Sequence, residues 1–317
     1  TVTGLIGYLC AEAGLDPVVI NGGAVTNWRA PDRVGSVRWG RGSLCIIEAD
    51  ESDKSLLCFQ PDYVVITNVS KDHYELDEVI RVFREFRGKA REWSLLGPQA
   101  AEVLDGQNMP PVTVRTREHA DWFTVDGVEY PSPMCGQHNA ENARLAVVVA
   151  RKLGVPSDKI IRALAGFRGI HRRLEVVARR GGITVFDDYA HNPAKIAASW
   201  RAVAERSERV VGIWRPHGFG PLSLLFDELA DAFASACRPQ DHIFILPVFY
   251  AGGTAKKTDD AMRLVEVLKA RGVQADHAEN YFDLRMKIAP SLNPGTSVLG
   301  MGARDPDLPV FLHELLD

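Results

Sequence analysis

At 317 residues the chain exceeds the usual size of a single hydrophobic core, so two domains of about 150 residues each are expected. Apolar residues make up 46% and charged residues 25%, and a formal net charge of −4 gives no electrostatic basis for nucleic acid or an anionic membrane as partner. The five cysteines (Cys10, Cys45, Cys58, Cys135 and Cys237) are scattered without CxxC spacing, which argues against a disulfide framework or a zinc site and fits a reducing cytoplasm.

The chain opens without Met and as though already inside a helix, "TVTGLIGYLCAEAGL", which leads us to expect an upstream segment. That helix, 3–14, ends at Gly14 and is followed by the strand "PVVI" and the turn "NGG". Strands are expected at 44–48 and 63–67, a helix at 77–92, short strands around 112–114 and 122–125, and an amphipathic helix at 139–153 stopped by Gly154. A break is expected within "GFRGIHRR", residues 166–173, dividing the chain into domains 1–167 and 168–317. Beyond it, "ITVFDD", "RVVGIW", "HIFILPV" and "TSVLGMG" read as strands, each followed by a helix: 193–206, 222–236, 258–271 and 307–316. Apolar strands alternating with helices indicate an α/β fold with largely parallel sheets. The first residues lack the basic-then-apolar pattern of a signal peptide, and no apolar run of about 18 residues occurs.

Open α/β sheets bind ligands beyond the carboxyl ends of their strands. That rule selects Glu48–Asp53, then Thr67, Asn68, Asp72 and His73, then Asp187, Asp188, Tyr189 and His191, and finally Arg215 and His217. Two domains each offering such an edge suggest a site in a cleft between them. The residues alone leave several readings open. The carboxylates of "EADESD" suit a solvated turn or a divalent cation such as Mg²⁺, for which His73 is an unusual ligand. His138, Asn139 and Asn142 at a helix start suit capping or the edge of a base. Arg172 and Arg173 suit surface charge or phosphate. "FDDYAHNP" is too dense in reactive groups to be mere connection.

Taken in order, "EADESD", "TNVSKDH", "GQHNAENA", "RRLE", "DDYAHNP" and "RPHGFGP" resemble the Mur ligases, over nearly the whole chain to about Gly302. The resemblance implies a central, P-loop-NTPase-like, mainly parallel sheet domain followed by a Rossmann-like C-terminal α/β domain. It places the family's phosphate loop immediately before Thr1, so the 317 residues by themselves are expected to bind ATP poorly and to be inactive.

Carried onto this sequence, it implies Glu48 and His73 as metal ligands and His138, Asn139 and Asn142 near the adenine of ATP. Arg173 would reach the phosphates and Asp188 the ribose. Asn68 would lie near the reaction centre, and Tyr189, His191, His217 and Arg215 would face the acceptor or the amino acid, with His191 or His217 as base. The implied chemistry is ATP- and Mg²⁺-dependent amide formation through an acyl phosphate, between a UDP-sugar carboxylate and an amino acid. Folylpolyglutamate- or cyanophycin-type ligases and a non-catalytic nucleotide-binding relative are the alternatives. Where alanine-adding members carry Pro-His-Arg and a second arginine, this chain has Gly218 and Gly220, which leaves the amino acid open and makes Arg215 a candidate substitute.

Overall fold

The computed structural model describes residues 1–69, 74–106, 112–117, 120–250 and 261–317. They form two compact units, Thr1–Ile170 and His171–Asp317.

The first unit begins with α1 (Val2–Glu12), β1 (Val18–Ile20), β2 (Val37–Arg38) and β3 (Cys45–Ile47). It continues through β4 (Tyr63–Ile66), α2 (Leu76–Gly88), β5 (Trp93–Leu96) and α3 (Pro98–Val103). β6 (Arg115–Arg117), β7 (Ala120–Val125), β8 (Val128–Ser132), α4 (Gln137–Lys152) and α5 (Ser157–Gly166) complete it. Its parallel pairs are β1–β3 and β4–β5, with β2 antiparallel to β1; β6, β7 and β8 form a separate antiparallel sheet. α1 lies against α4, and the shared core holds Leu5, Leu9, Ala143, Ala146 and Val147. Phe123 and Tyr130 stack within the same core, ring centroids 5.9 Å apart. A smaller cluster, Val64, Ile66, Val79, Leu96 and Leu104, joins β4 to α2 and α3.

The second unit runs β9 (Glu175–Arg180), β10 (Ile183–Asp188), α6 (Pro193–Ala204), β11 (Arg209–Trp214), α7 (Phe219–Leu224) and α8 (Phe226–Ala236). Then follow β12 (His242–Ile245), α9 (Ala261–Ala270), β13 (Ala275–His277), α10 (Tyr281–Ile288), β14 (Thr296–Met301) and α11 (Asp307–His313). The sheet order is β13-β12-β11-β14-β10-β9, parallel except for β9. Leu284, Ile288, Phe311 and Leu312 from α10 and α11 cover one face with Val185, Val211 and Val298. α6 packs on α8, and α8 on α9, with Trp200 and Trp214 both edge-on to Phe233. α6 starts where Asn192 accepts a hydrogen bond from the Lys195 backbone N–H and Pro193 takes the first helical position, the residue types that a helix start favours.

Some expectations shift. Strand pairing covers Arg115–Arg117 in place of 112–114. The helix expected at 222–236 is broken at Leu225, whose non-helical ψ of 21° ends α7 and starts α8, leaving Leu222, Phe226, Leu229 and Phe233 buried and Leu224 exposed. Of the helix expected at 258–271, residues 258–260 lie outside the described residues. Among the described residues no helix is long and apolar enough to cross a membrane.

Candidate active site

β14 lies between β10 and β11, so three strand ends stand side by side and release Asp188–His191, Arg215–His217 and Gly302–Asp305 at one edge. After β10 the chain passes into α6, which packs with α8; after β14 it passes into α11, which packs with the opposite-face core. Neighbouring strands whose connections leave to opposite faces open the crevice where sheets of this kind bind ligands.

Four side chains form a continuous wall along this edge. The Arg173 guanidinium lies 5.5 Å from the Tyr189 ring centre, Tyr189 meets His191 edge-on at 5.6 Å, and His191 meets His217 edge-on at 5.1 Å. His191 Nδ1 is 2.9 Å from the Tyr189 carbonyl oxygen. A carbonyl can only accept, so Nδ1 carries a proton, and in the neutral ring the lone pair lies on Nε2. Burial, with His191 and Arg304 adding to it, pulls the His217 pKa down to about 4, so this imidazole is neutral at pH 7. Behind the two histidines a recess of about 10 Å³ is lined by Trp214, Pro216, Pro221, Leu222 and Leu229.

The approach to Arg173 is held under strain. Arg172 and Leu174 both adopt left-handed backbone, φ 56° and 47°, a conformation that costs an L-residue roughly 1–2 kcal/mol. Compensation comes from buried groups. Arg172 Nε donates to both Asp187 oxygens at 3.2 and 3.1 Å, and its Nη2 donates to the Gly302 carbonyl at 2.5 Å. Asp188 accepts from the Leu174 and Ala190 backbone N–H groups, each at 2.7 Å. Burial raises the pKa of both carboxyls, Asp188 to about 6, with the N–H donors and Arg173 opposing the shift at Asp188. Asp188 thus fixes the loop on either side of itself.

Arg215 is engaged as well. Its Nη1 lies 2.7 Å from Asp305 Oδ2, and its guanidinium sits 5.5 and 5.6 Å from the Phe249 and Tyr281 rings. The Tyr281 hydroxyl donates to the same Asp305 oxygen, while Asp305 Oδ1 accepts from the Asp307 N–H.

In the first unit Glu48 follows β3 and is exposed, with its carboxylate accepting from the Gly22 N–H at 3.1 Å. Asn68 is exposed beyond β4, its Oδ1 accepting from Thr67 Oγ1 at 2.9 Å. The next residue is clamped: Val69 N–H donates to Gln99 Oε1 and Gln99 Nε2 donates to the Val69 carbonyl, both at 2.7 Å. Gly97 permits this approach, since a Cβ there would strike the Thr67 carbonyl. His138 and Asn142 are one turn apart on the same face of α4, and burial lowers the His138 pKa. Asn139 is buried on the adjoining face, where its Nδ2 donates to the Cys135 carbonyl at 2.7 Å. His73 lies outside the described residues, and among those described no cluster of three His, Cys, Asp or Glu side chains could hold a metal ion. The Arg172–Asp187 pair, the Gln99 clamp and the Arg215–Asp305–Tyr281 group had not been singled out as partners from sequence.

This architecture is that of the Mur-type ligases. A family model described as Mur ligase, glutamate ligase domain, matches residues 172–304. UDP-N-acetylmuramate–L-alanine ligase of Azorhizobium caulinodans is 32% identical over 96% of this chain, which covers 71% of that protein. The same-named protein of a Synechococcus species is 32% identical over 96% of this chain, which covers 62% of it. Among solved structures, the MurC protein of Thermotoga maritima superposes with a TM-score of 0.78 at 23% identity, covering all of this chain and 72% of its own. Mycobacterium tuberculosis folylpolyglutamate synthase gives 0.67 at 16% identity, covering 99% of this chain and 87% of its own. The chain belongs to the Mur ligase family.

Proposed function

We propose that the protein is an ATP-dependent ligase joining an amino acid, L-alanine by preference, to the carboxyl group of UDP-N-acetylmuramate. The observation that carries this reading is the wall Arg173–Tyr189–His191–His217, which sets a cation for phosphate beside two imidazoles suited to an amine. The acceptor carboxylate attacks the γ-phosphorus of ATP, breaking its bond to ADP and giving an acyl phosphate. The amine nitrogen then attacks the acyl carbon, the carbon–oxygen bond to phosphate breaks, and nitrogen loses a proton. His191 in its neutral form takes that proton on Nε2; His217, with a pKa near 4, is too weak a base and instead accepts a hydrogen bond from the amine.

Arg173 offsets charge on the phosphates, and Asp188 and Arg172 hold its backbone for that task. His138 and Asn142 present one helical face to the adenine. Asn68 stands near the reacting groups, steadied by Gln99 at the next residue. Mg²⁺ would neutralise phosphate charge, and Glu48 at its strand end offers the single hard carboxylate that this ion commonly takes beside phosphate and water oxygens. The reaction belongs to the cytoplasm, where ATP and UDP-sugars are found.

The preference for L-alanine follows the names of the relatives at 32% identity. A folylpolyglutamate-type activity would require glutamate. The test is phosphate release by the intact natural protein with ATP, Mg²⁺ and UDP-N-acetylmuramate against a panel of amino acids. Release is expected with L-alanine; release only with glutamate and a non-sugar acceptor would replace this reading, and none with any pair would overturn it.

A further inference from the structure

The two adjacent arginines of "HRRLE" are not equivalent. Arg172 is committed on every side. Its guanidinium donates to Asp187 and to the Gly302 and Ala303 carbonyls, and its own carbonyl accepts from the Tyr189 N–H at 2.8 Å. Its backbone N–H donates to Glu175 Oε2 at 2.9 Å. Among the described residues the half-buried Arg173 side chain makes no hydrogen bond and no ion pair, and its guanidinium lies over the Tyr189 ring. Arg173 is therefore the cation left for a ligand, and its aim depends on the backbone to either side.

That backbone is held against its own preference. Gly169, Arg172 and Leu174 all lie in the left-handed region, at φ 93°, 56° and 47°, so the turn would relax without support. Two carboxylates close it. Asp188 takes the Leu174 N–H on the C-terminal side of Arg173. On the N-terminal side Glu175 folds back over the turn: its Oε2 accepts from the Arg172 N–H and lies 2.7 Å from His171 Nδ1. Glu175 is 9% exposed, so water competes little for these bonds. It stands opposite Asp187 in the β9–β10 ladder, and the two acids grip Arg172 from neighbouring strands, one by its N–H and the other by its guanidinium.

We infer that Glu175 is the positioning residue for Arg173: through the Arg172 N–H and His171, its carboxylate locks the turn that aims the Arg173 guanidinium at an anionic ligand, the triphosphate of ATP. This rests on the ligase reading above and adds to it the acid that holds Arg173 from the N-terminal side.

The experiment measures KM for ATP, UDP-N-acetylmuramate and L-alanine in variants of the intact natural protein. Glu175→Ala is expected to raise KM for ATP by about 10- to 100-fold, the range for losing hydrogen bonds to a charged group. KM for the other two substrates should stay within about twofold, because neither carries the triphosphate. Glu175→Gln keeps an oxygen for one of the two donors and should recover part of the loss. His171→Ala leaves the Arg172 bond in place and should shift KM for ATP the same way by less; these two variants carry the test where Glu175→Ala does not fold. In an Arg173→Gln background, Glu175→Gln should change KM for ATP by less than about twofold, since the group it positions is gone. A merely structural role would move all three constants together and would act with or without Arg173. Either of those results, or a KM for ATP that stays at the wild-type value in the Glu175 variants, overturns the assignment and leaves the ligase reading standing. No wild-type turnover with any amino acid overturns both.

Discussion

His217 shows how burial, acting on one side chain, sets both chemistry and stability. Its folded pKa of about 4 lies below the roughly 6.5 of an unfolded chain. Between those values the unfolded state binds a proton that the folded state refuses, so stability is fully present above about pH 6.5 and is lost as pH falls toward 4. Asp188 works in the opposite sense. Its folded pKa near 6 exceeds the roughly 3.9 of a free aspartate, so the folded state is the better proton binder in that interval and acid relieves the strain of its burial. The two effects overlap in pH and partly cancel in the wild type. They separate in a comparison with His217→Gln, because Asp188 is common to both proteins. The thermal midpoint of the wild type, relative to that of the variant, is expected to fall as pH is lowered from 7 to 4.5. A constant difference across that range would show that His217 titrates normally.

At the scale of elements, the sheet of the second unit depends on two glycines that let helices approach. Gly212 in β11 faces the Trp200 ring of α6, and Gly300 in β14 faces both methyl groups of Leu312 in α11. Leu312 is wholly buried and has nowhere to turn. Gly300→Ala should therefore lower the stability of this unit by about 1–3 kcal/mol, the usual range for overpacking a tight core, read as a drop in the urea midpoint.

The same central strands were the most legible part of the chain. The strands expected at 183–188 and 209–214 match β10 and β11, and the one expected at 296–302 contains β14, because a strand covered on both faces needs a largely apolar, often β-branched run. β13 and α10 escaped notice. β13 has only three residues, with Asp276 and His277 among them, and α10 has Phe282 and Met286 exposed while Leu284 and Ile288 are buried, so no single apolar stripe marks it. In the candidate site, Asp188, Tyr189 and His191 stand out in the sequence because Asp188 ends β10 and the other two come just after it. The grip of Arg215 on Asp305 joins residues 90 positions apart and becomes visible only when β11 and β14 are seen to be neighbours.

At the scale of the whole molecule, the division at Ile170 and His171 gives each unit a core of its own. Residues 171–317 contain a complete six-stranded sheet with α10 and α11 on one face and α6, α8 and α9 on the other. Its size, close to 150 residues, is that of a typical independent domain, and the family model falls within it at 172–304. The strained turn at Arg172 and Leu174 takes its compensating bonds from Asp187, Asp188, Gly302 and Ala303, all inside the same unit. A fragment of residues 171–317 is therefore expected to fold alone. Trp200 and Trp214 are its two tryptophans, both buried, so their fluorescence reports tertiary packing while far-UV circular dichroism reports the helices. The two signals should trace one denaturation curve, as a two-state domain requires. Fluorescence lost at lower denaturant than the helical signal would mean that the packing around Phe233 needs residues before His171, and the strained turn would then be held by more than the bonds named here.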